Sequence, residues 1–408
     1  MRIIVHSITP AQPSNANRDD LGMCKTCVLG GTVRVRYSPQ SRGAAMRPLL
    51  AKRIADRRGE STRTTRLGDM VIEELRVLDP SLTDADAEKL ADRAFTALTK
   101  SQARSDAEAK VATAETKLQK ALAELAAAEE SESTDDKALK DKRKAVERAE
   151  SEVTKSTEAA NKSGALWLVS PGQVNALAQY LLDTADAAPG KDFKSRCLDA
   201  LNSSPSLDSA AFGRMVAASN ELNIDAAVQL AHSVSVNEFT GDTDFFTAID
   251  ERKGVAAVMD YNYLSSPIMY SYAAVDVDLL ASNLGVSVDS PWFKESLSIL
   301  VELLATAMPR GRETKAGSIS RPSGVYLTAG DGGGILTAGF LRTLDDDAEA
   351  FAKLLDTGRR YAAGYGDTFA AQSLWTIHDD VVDEGFSGVA HGSLSEAVEA
   401  VVSAAVGE

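Results

Sequence analysis

The chain has 408 residues and a formal net charge of −15, from 44 Lys and Arg against 59 Asp and Glu, a length that can bury one large core or two. That balance excludes a protein that coats nucleic acid through its whole surface. Three cysteines give no disulfide framework, the apolar start MRIIVHSITP is too short for a signal sequence, and no stretch approaches membrane-span length, so a cytoplasmic protein with no membrane association is expected.

In chain order, Arg2 to Ile8 is a β-branched run that reads as a first strand. Val33, Val35 and Tyr37 alternate with Arg34 and Arg36, which predicts a strand with one buried and one basic face, entered through a tight turn at Gly30 and Gly31. Ser38 then reads as an N-cap and Pro39 as a first helical residue. Free N–H groups at such a tip attract anions, and Arg42 and Arg47 add charge. Lys52, Arg53, Arg57, Arg58, Arg63 and Arg66 continue the run, which also matches the solvated face of a helix. The capped start beside a basic strand points towards phosphate.

Leu67 to Leu98 has helical periodicity divided at Pro80, with Thr83 capping the second half. Arg104 to Ala160 lacks Gly, Pro and aromatic residues and repeats Val111, Leu118 and Leu125 at seven, then Leu139, Val146 and Val153. It predicts an antiparallel helical hairpin with a small-residue seam, whose mixed charges favour a structural projection over a partner-binding coiled coil. Trp167 to Leu182 reads as a helix. Gly241 to Asp244 reads as a turn before Phe245-Phe246-Thr247, and Ile268 to Val277 as a strand. Val325 to Leu327 and Ile335 to Phe340 read as a hairpin across Gly330 to Gly334, and Ser393 to Val406 as a helix. The class is α+β.

Cys24 and Cys27 make half a zinc site with no second pair, so no metal is expected. Asp19 and Asp20 beside Arg18 read as orienting neighbouring arginines. Gly330 to Gly334 lacks the Gly-Lys-Ser/Thr ending of a nucleotide loop. No Ser/His/Asp or Cys/His set is evident, and no catalytic residue or cofactor is expected. By residue type alone, one of Phe245 and Phe246 belongs to a core, and Met215 fills one.

Asn17-Arg18-Asp19-Asp20, Lys25, Gly30-Gly31, Arg34-Val35-Arg36, Ser38 through Ser41 and Ala45-Met46-Arg47 resemble the N-terminal signature of the CasC family. These are the crRNA-binding backbone subunits of type I-E CRISPR Cascade complexes, within the Cas seven family of RAMP proteins. The resemblance extends over most of the chain outside 104–160. It implies an RRM-like (ferredoxin-like) palm over 1–67, 228–235 and 269–408, inserted helical fingers over 68–227, and a β-hairpin thumb over 236–268. It implies that Arg18, Lys25, Arg34, Ser38, Gln40, Ser41, Arg42 and Arg47 meet guide-RNA phosphates and sugars. Met215, Phe245, Phe246 and Thr247 would kink the guide, and Arg310, Arg312 and Lys315 would add charge. Family members carry consecutive basic residues where this chain has Gly43 and Ala44, so the contacts of that helix are expected to move to Arg42. The implied partners are crRNA, the target DNA strand, further copies of the chain in a helical filament, and the large, small, 5′-end cap and crRNA-processing endoribonuclease subunits of Cascade. Two rivals are an RNA-cleaving, type III-like backbone subunit using Asp19 or Asp20, and a scaffold unrelated to nucleic acid built on the 104–160 hairpin.

Overall fold

A computed structural model describes residues 1–54, 58–98, 102–129, 136–161, 166–216, 219–252, 255–311, 314, 317, 319–378, 380–382 and 386–407. In order, the elements are β1 (Arg2–Pro10), β2 (Thr26–Leu29), β3 (Thr32–Tyr37), α1 (Pro39–Arg53), β4 (Thr62–Thr64), α2 (Leu67–Leu78), α3 (Asp84–Leu98), α4 (Gln102–Glu129), α5 (Asp136–Asn161), β5 (Trp167–Val169), α6 (Pro171–Asp183), α7 (Phe193–Asn202) and α8 (Leu207–Phe212). There follow β6 (Val228–Leu230), β7 (Ser233–Ser235), β8 (Asp242–Asp250), β9 (Val255–Leu264), β10 (Ile268–Asp276), α9 (Val277–Leu284), α10 (Pro291–Thr306), β11 (Gly324–Gly330), α11 (Asp347–Tyr365), β12 (Phe369–Thr376), β13 (Val389–Ala390) and α12 (Leu394–Val406). They form two compact units. One comprises Met1–Glu60, Ser206–Gly213 and Ile224–Glu408, the other Ser61–Pro205 and Arg214–Asn223.

The first unit is built on a sheet of order β13-β12-β11-β1-β10-β7-β3-β2, with β6 also on β10. Its pairings are antiparallel except β12 with β13. β1 is buried along nearly its whole length because β10 runs its full span, β11 pairs with it from Arg2 to Ile8, and both faces are covered. Ile3 and Val5 face a core closed by α1, α10 and α12 through Leu50, Leu300 and Val401. The other face is aromatic. There the His6 ring lies 5.6 Å from Tyr326 and 5.4 Å from Tyr272, its Nδ1 is 3.0 Å from the Tyr270 hydroxyl, and Phe351 and Leu354 of α11 pack over the same face.

Burial pushes the pKa of His6 down to about 3. The unfolded chain takes up a proton there near 6.5 and the folded chain does not. Stability is therefore expected to fall as pH drops from about 6.5 towards about 3, by up to about 1.4 kcal/mol per pH unit from this group. Urea midpoints collected across that window should decline more steeply for the wild-type chain than for His6→Gln. Equal slopes would contradict the assignment.

The second unit is helical. α2, α3, α6 and α7 enclose Val71, Leu75, Leu90, Phe95, Leu177 and Leu201. Pro80 falls in the break between α2 and α3, and the Thr83 hydroxyl accepts from the Asp86 amide at 3.2 Å. α4 and α5 pair antiparallel with Ala114, Val146 and Ala149 buried between them, and Lys117 meets Glu152 while Lys142 meets Glu124. Arg214 is buried, donating to the carbonyls of Leu222 at 2.6 Å and Leu201 at 3.3 Å and to the Asn202 and Gln173 side chains; burial pushes its pKa down to about 10.

Four local expectations change. Trp167–Val169 is a strand paired with β4, and the helix starts only at Pro171, where Ser170 and Gln173 form a capping box. The stretch Asp242–Asp244 is already strand. No hairpin follows β11, which pairs instead with β12; residues 337–340 form a 3₁₀ turn, fixed by the Gly333 amide on the Asp367 carboxylate and the Leu336 amide on the Tyr270 hydroxyl. In β3 the two faces are exchanged at one end, with Arg34 fully buried and Val33 exposed.

Candidate functional site

A small satellite core assembles the part of the sheet unit to which the sequence drew attention. Val35 and Tyr37 of β3, Met269 of β10 and Met308 beyond α10 are buried together, with Ala16 and Phe239 packed against them. Four segments are thereby held in one place: the loop 11–25, the strand leading into α1, the stretch after α10, and the root of the β8–β9 hairpin. Backbone pairing adds register. Ser14 and Ser265 exchange both hydrogen bonds at 3.0 Å, and the Phe239 amide donates to the Val33 carbonyl at 2.8 Å. Gly311 lies so close to the loop that a Cβ there would stand 2.6 Å from the Asn15 carbonyl oxygen, which brings Arg310 beside it.

The loop 11–25 is folded on itself. Arg18 bridges to Cys24, the Lys25 amide donates to the Asn17 carbonyl at 2.9 Å, and the Asn17 side chain accepts from the Ser38 amide at 2.9 Å. Asp19 closes it by accepting from the Leu21 and Met23 amides, and so serves its own backbone instead of orienting an arginine. Arg18 projects exposed, with Lys25 partly exposed. At the α1 tip the Ser38 hydroxyl accepts from the Ser41 amide at 3.4 Å, Gln40 is exposed and Ser41 partly so. Ser38 itself is buried, so its role is the cap.

Three of the expected phosphate ligands are occupied within the fold. Arg34 donates to the carbonyls of Ser235 and Phe340, each at 3.1 Å, and to that of Val236; burial lowers its pKa. Arg42 is 1 % exposed and donates to the Tyr272 carbonyl at 2.8 Å, Ala231 at 3.0 Å and Leu304 at 3.4 Å; burial pushes its pKa down to about 10. It is therefore not the replacement for the basic residues missing at Gly43 and Ala44. Arg47 is half-buried, with Nε 3.5 Å from the Asp208 carboxylate, itself fully buried, and its guanidinium 5.8 Å from the Phe212 ring. Further along, Arg53 grips Glu302 with both Nη atoms and Arg58 lies 3.9 Å from the Trp292 ring. Periodicity shows which residues share a face; it cannot show that carbonyls from β7 and β10 converge on the buried ones.

Arg36, which the sequence places on the basic face of the strand without assigning it a guide contact, stands just before the tip. It donates to the Thr26 carbonyl and its Nη1 lies 3.1 Å from His232 Nδ1. Desolvation, and then Arg36, lower the pKa of His232.

The β8–β9 hairpin carries its apolar side chains in the open. Phe245 pairs with Tyr261 and Thr247 with Met259, and two-residue alternation puts these four on one face with Tyr263. The Phe245 and Tyr261 rings are 5.0 Å apart, and Phe245, Tyr261 and Met259 are each at least half exposed. Phe246 points the other way, opposite Asp260 and beside Asp244 and Asn262. Neither phenylalanine belongs to a core. Tyr261, Tyr263 and Met259 were missed, although their alternation within VAAVMDYNYL was legible.

The CT1975-like protein family matches the chain over residues 3–147 and 98–400. The chain belongs to that family. Among curated proteins no match is found. Solved structures share the fold, two of them chains of CRISPR complexes. A chain of a "CRISPR RNA-guided surveillance complex, pre-nicking" is 21% identical with TM-score 0.72, and a chain of a "CRISPR RNA-guided surveillance complex" is 21% identical with TM-score 0.65. Each likeness covers 99% of this chain and 100% of the other.

In this CT1975-like chain the remaining expected residues fall as follows. Met215 lies in the helical unit between buried Arg214 and buried Val216 and is 85% exposed, which rules out core filling. Thr247 is exposed on β8. Arg310 is exposed, and Arg312 and Lys315 lie outside the described residues. Cys24 is buried 3.5 Å from the Ser265 hydroxyl, and burial pushes the Cys24 and Cys27 thiols up, which keeps them protonated at neutral pH. Among the described residues no group of three or more His, Cys, Asp or Glu is placed to hold a metal ion, and no helix is long and apolar enough to cross a membrane.

Proposed function

We propose that this chain is a backbone subunit of a CRISPR surveillance complex of the type I-E Cascade kind, binding crRNA without regard to its sequence. The observation that carries this is a cluster of exposed aromatic side chains on a hairpin whose root shares its small core with the loop bearing Arg18 and Lys25 and with the strand that leads into α1. Aromatic faces stack on or part neighbouring bases, while cations and a helix tip hold phosphate, and neither contact reads a base edge. In this reading the sheet unit is an RRM-like palm, the helical unit the fingers and β8–β9 a thumb. Arg18, Lys25, Arg36, Gln40, Ser41 and Arg310 line the guide's backbone, Phe245 and Tyr261 meet its bases, and Met215 is a further contact presented by the fingers. Copies join head to tail along the guide and present it to the target DNA strand. Other Cascade subunits complete the assembly. The chain itself cuts nothing and needs no cofactor, and it works in the cytoplasm.

The first experiment is to purify the chain with its neighbouring subunits and sequence the RNA that accompanies it; absence of RNA of defined length would refute the proposal. Arg18→Glu is expected to weaken guide binding alike for every spacer and to lower the slope of log K against log salt by about 1. Loss limited to certain spacers would contradict it. Arg47→Glu would be a poor probe, because it sets a second carboxylate against buried Asp208 and acts first on folding.

A further inference from the structure

On the aromatic side of the sheet, a cavity of about 530 Å³ opens at the C-terminal end of α11, lined by none of the residues assigned to the guide. His6, Tyr326, Tyr361, Tyr365 and Phe369 supply aromatic walls, and Thr328 and Asp367 further polar groups. Such a volume suits a side chain or a small ligand.

Sign decides what enters. α11 has 19 residues and ends in left-handed Gly366, so the negative end of its dipole points to this place. Its last turn holds no basic residue to offset that. Asp367 follows at once, its amide held by the Ala362 carbonyl and its Oδ2 accepting the Gly333 amide at 3.0 Å, which fixes a full negative charge at the same spot. Gly358 keeps the helix surface bare, since a Cβ there would stand 3.3 Å from the Tyr326 ring. A negative helix end, a fixed carboxylate and aromatic faces all favour a cation, and repel phosphate.

We infer that this cavity receives the guanidinium of an arginine from a protein partner. A planar cation stacks on tyrosine and can donate to Asp367 at the same time. The rim argues for a protein over a free cation: Tyr365 is 77% exposed and Ile335 48%, apolar surface that a small ion would leave in water. The inference is independent of where the guide lies.

The probe is N-acetyl-L-arginine N-methylamide, titrated into the full chain and followed by NMR line shifts, with the uncharged citrulline isostere alongside. The arginine derivative should bind saturably in the millimolar range and the isostere at least tenfold more weakly. Asp367→Asn and Tyr361→Ala should each weaken binding at least fivefold, while Tyr361→Phe, which keeps the ring, should not. Equal binding of the isostere, binding untouched by these variants, or no binding at all overturns the inference, as does preferential binding of adenosine monophosphate. The second arm uses the complex co-purified with neighbouring subunits. Amides of residues 361–367 should exchange more slowly there than in the isolated chain. Unchanged exchange together with binding of the small probe would mean a free cation and would remove the protein partner. This arm rests on the assembly proposed above, whose own failure shows separately as the absence of co-purifying subunits and RNA.

Discussion

Replacing Arg34 with methionine is expected to destabilise the sheet unit by about 3–5 kcal/mol, a larger effect than any exposed arginine should give. The guanidinium is fully buried and its donors are spread over the carbonyls of Ser235, Val236 and Phe340, which belong to β7, the turn after it and the 3₁₀ turn before α11. Methionine fills much of the volume but donates nothing. The carbonyls of Ser235 and Phe340 then lose this donor while that of Val236 keeps the Leu344 amide at 3.0 Å, and each buried carbonyl left without a donor costs about 1–3 kcal/mol. Fluorescence can isolate the unit concerned, because Trp292 and Trp375 belong to it and Trp167 to the helical one. In a Trp167→Phe background the urea midpoint should drop strongly for Arg34→Met and stay within experimental scatter for Arg18→Ala. A midpoint unmoved by Arg34→Met would show that those carbonyls find other donors.

Arg34 also shows where the sequence stopped being informative. Alternation in TVRVRY signals a strand, and a strand forms. Which face is buried depends on partners 201 to 306 residues away, and period-two patterning cannot tell a solvated arginine from one that ties three segments together. The same limit applies at Arg42 and Arg47. Ser38 was readable because a cap needs only the next few residues, and the division at Pro80 and the α4–α5 pairing were readable for the same reason. The Gly30-Gly31 turn was legible too, both residues having positive φ, although the close approach of Leu341 to Gly30 was not. The β11 hairpin failed because glycines next to apolar runs suggest a local return, whereas the sheet offered β12 as a longer partner. Arg36 and His232 lacked any local signal that would join them.

The aromatic hairpin yields the sharper test of function, because its two faces differ in chemistry while sharing one backbone. Phe245 shares its face with Tyr261, Tyr263, Met259 and Thr247, with no acid among them. Phe246 shares its face with Asp244 and Asp260, which repel a polyanion. If the hairpin meets the guide, the first face does so. Phe245→Ala combined with Tyr261→Ala should therefore weaken guide binding about ten- to hundredfold, since stacking contributes on the order of 1–3 kcal/mol per base. Phe246→Ala should change it little. Stability should stay near wild type in both cases, because these side chains are exposed and no core depends on them. Affinity is to be measured at one fixed salt concentration, with the salt slope recorded as well. Lost stacking should lower affinity at unchanged slope, in contrast to Arg18→Glu, which should lower the slope itself. Equal losses from the two faces would indicate that the hairpin acts through its shape or through another protein, and would move base contact elsewhere in the chain.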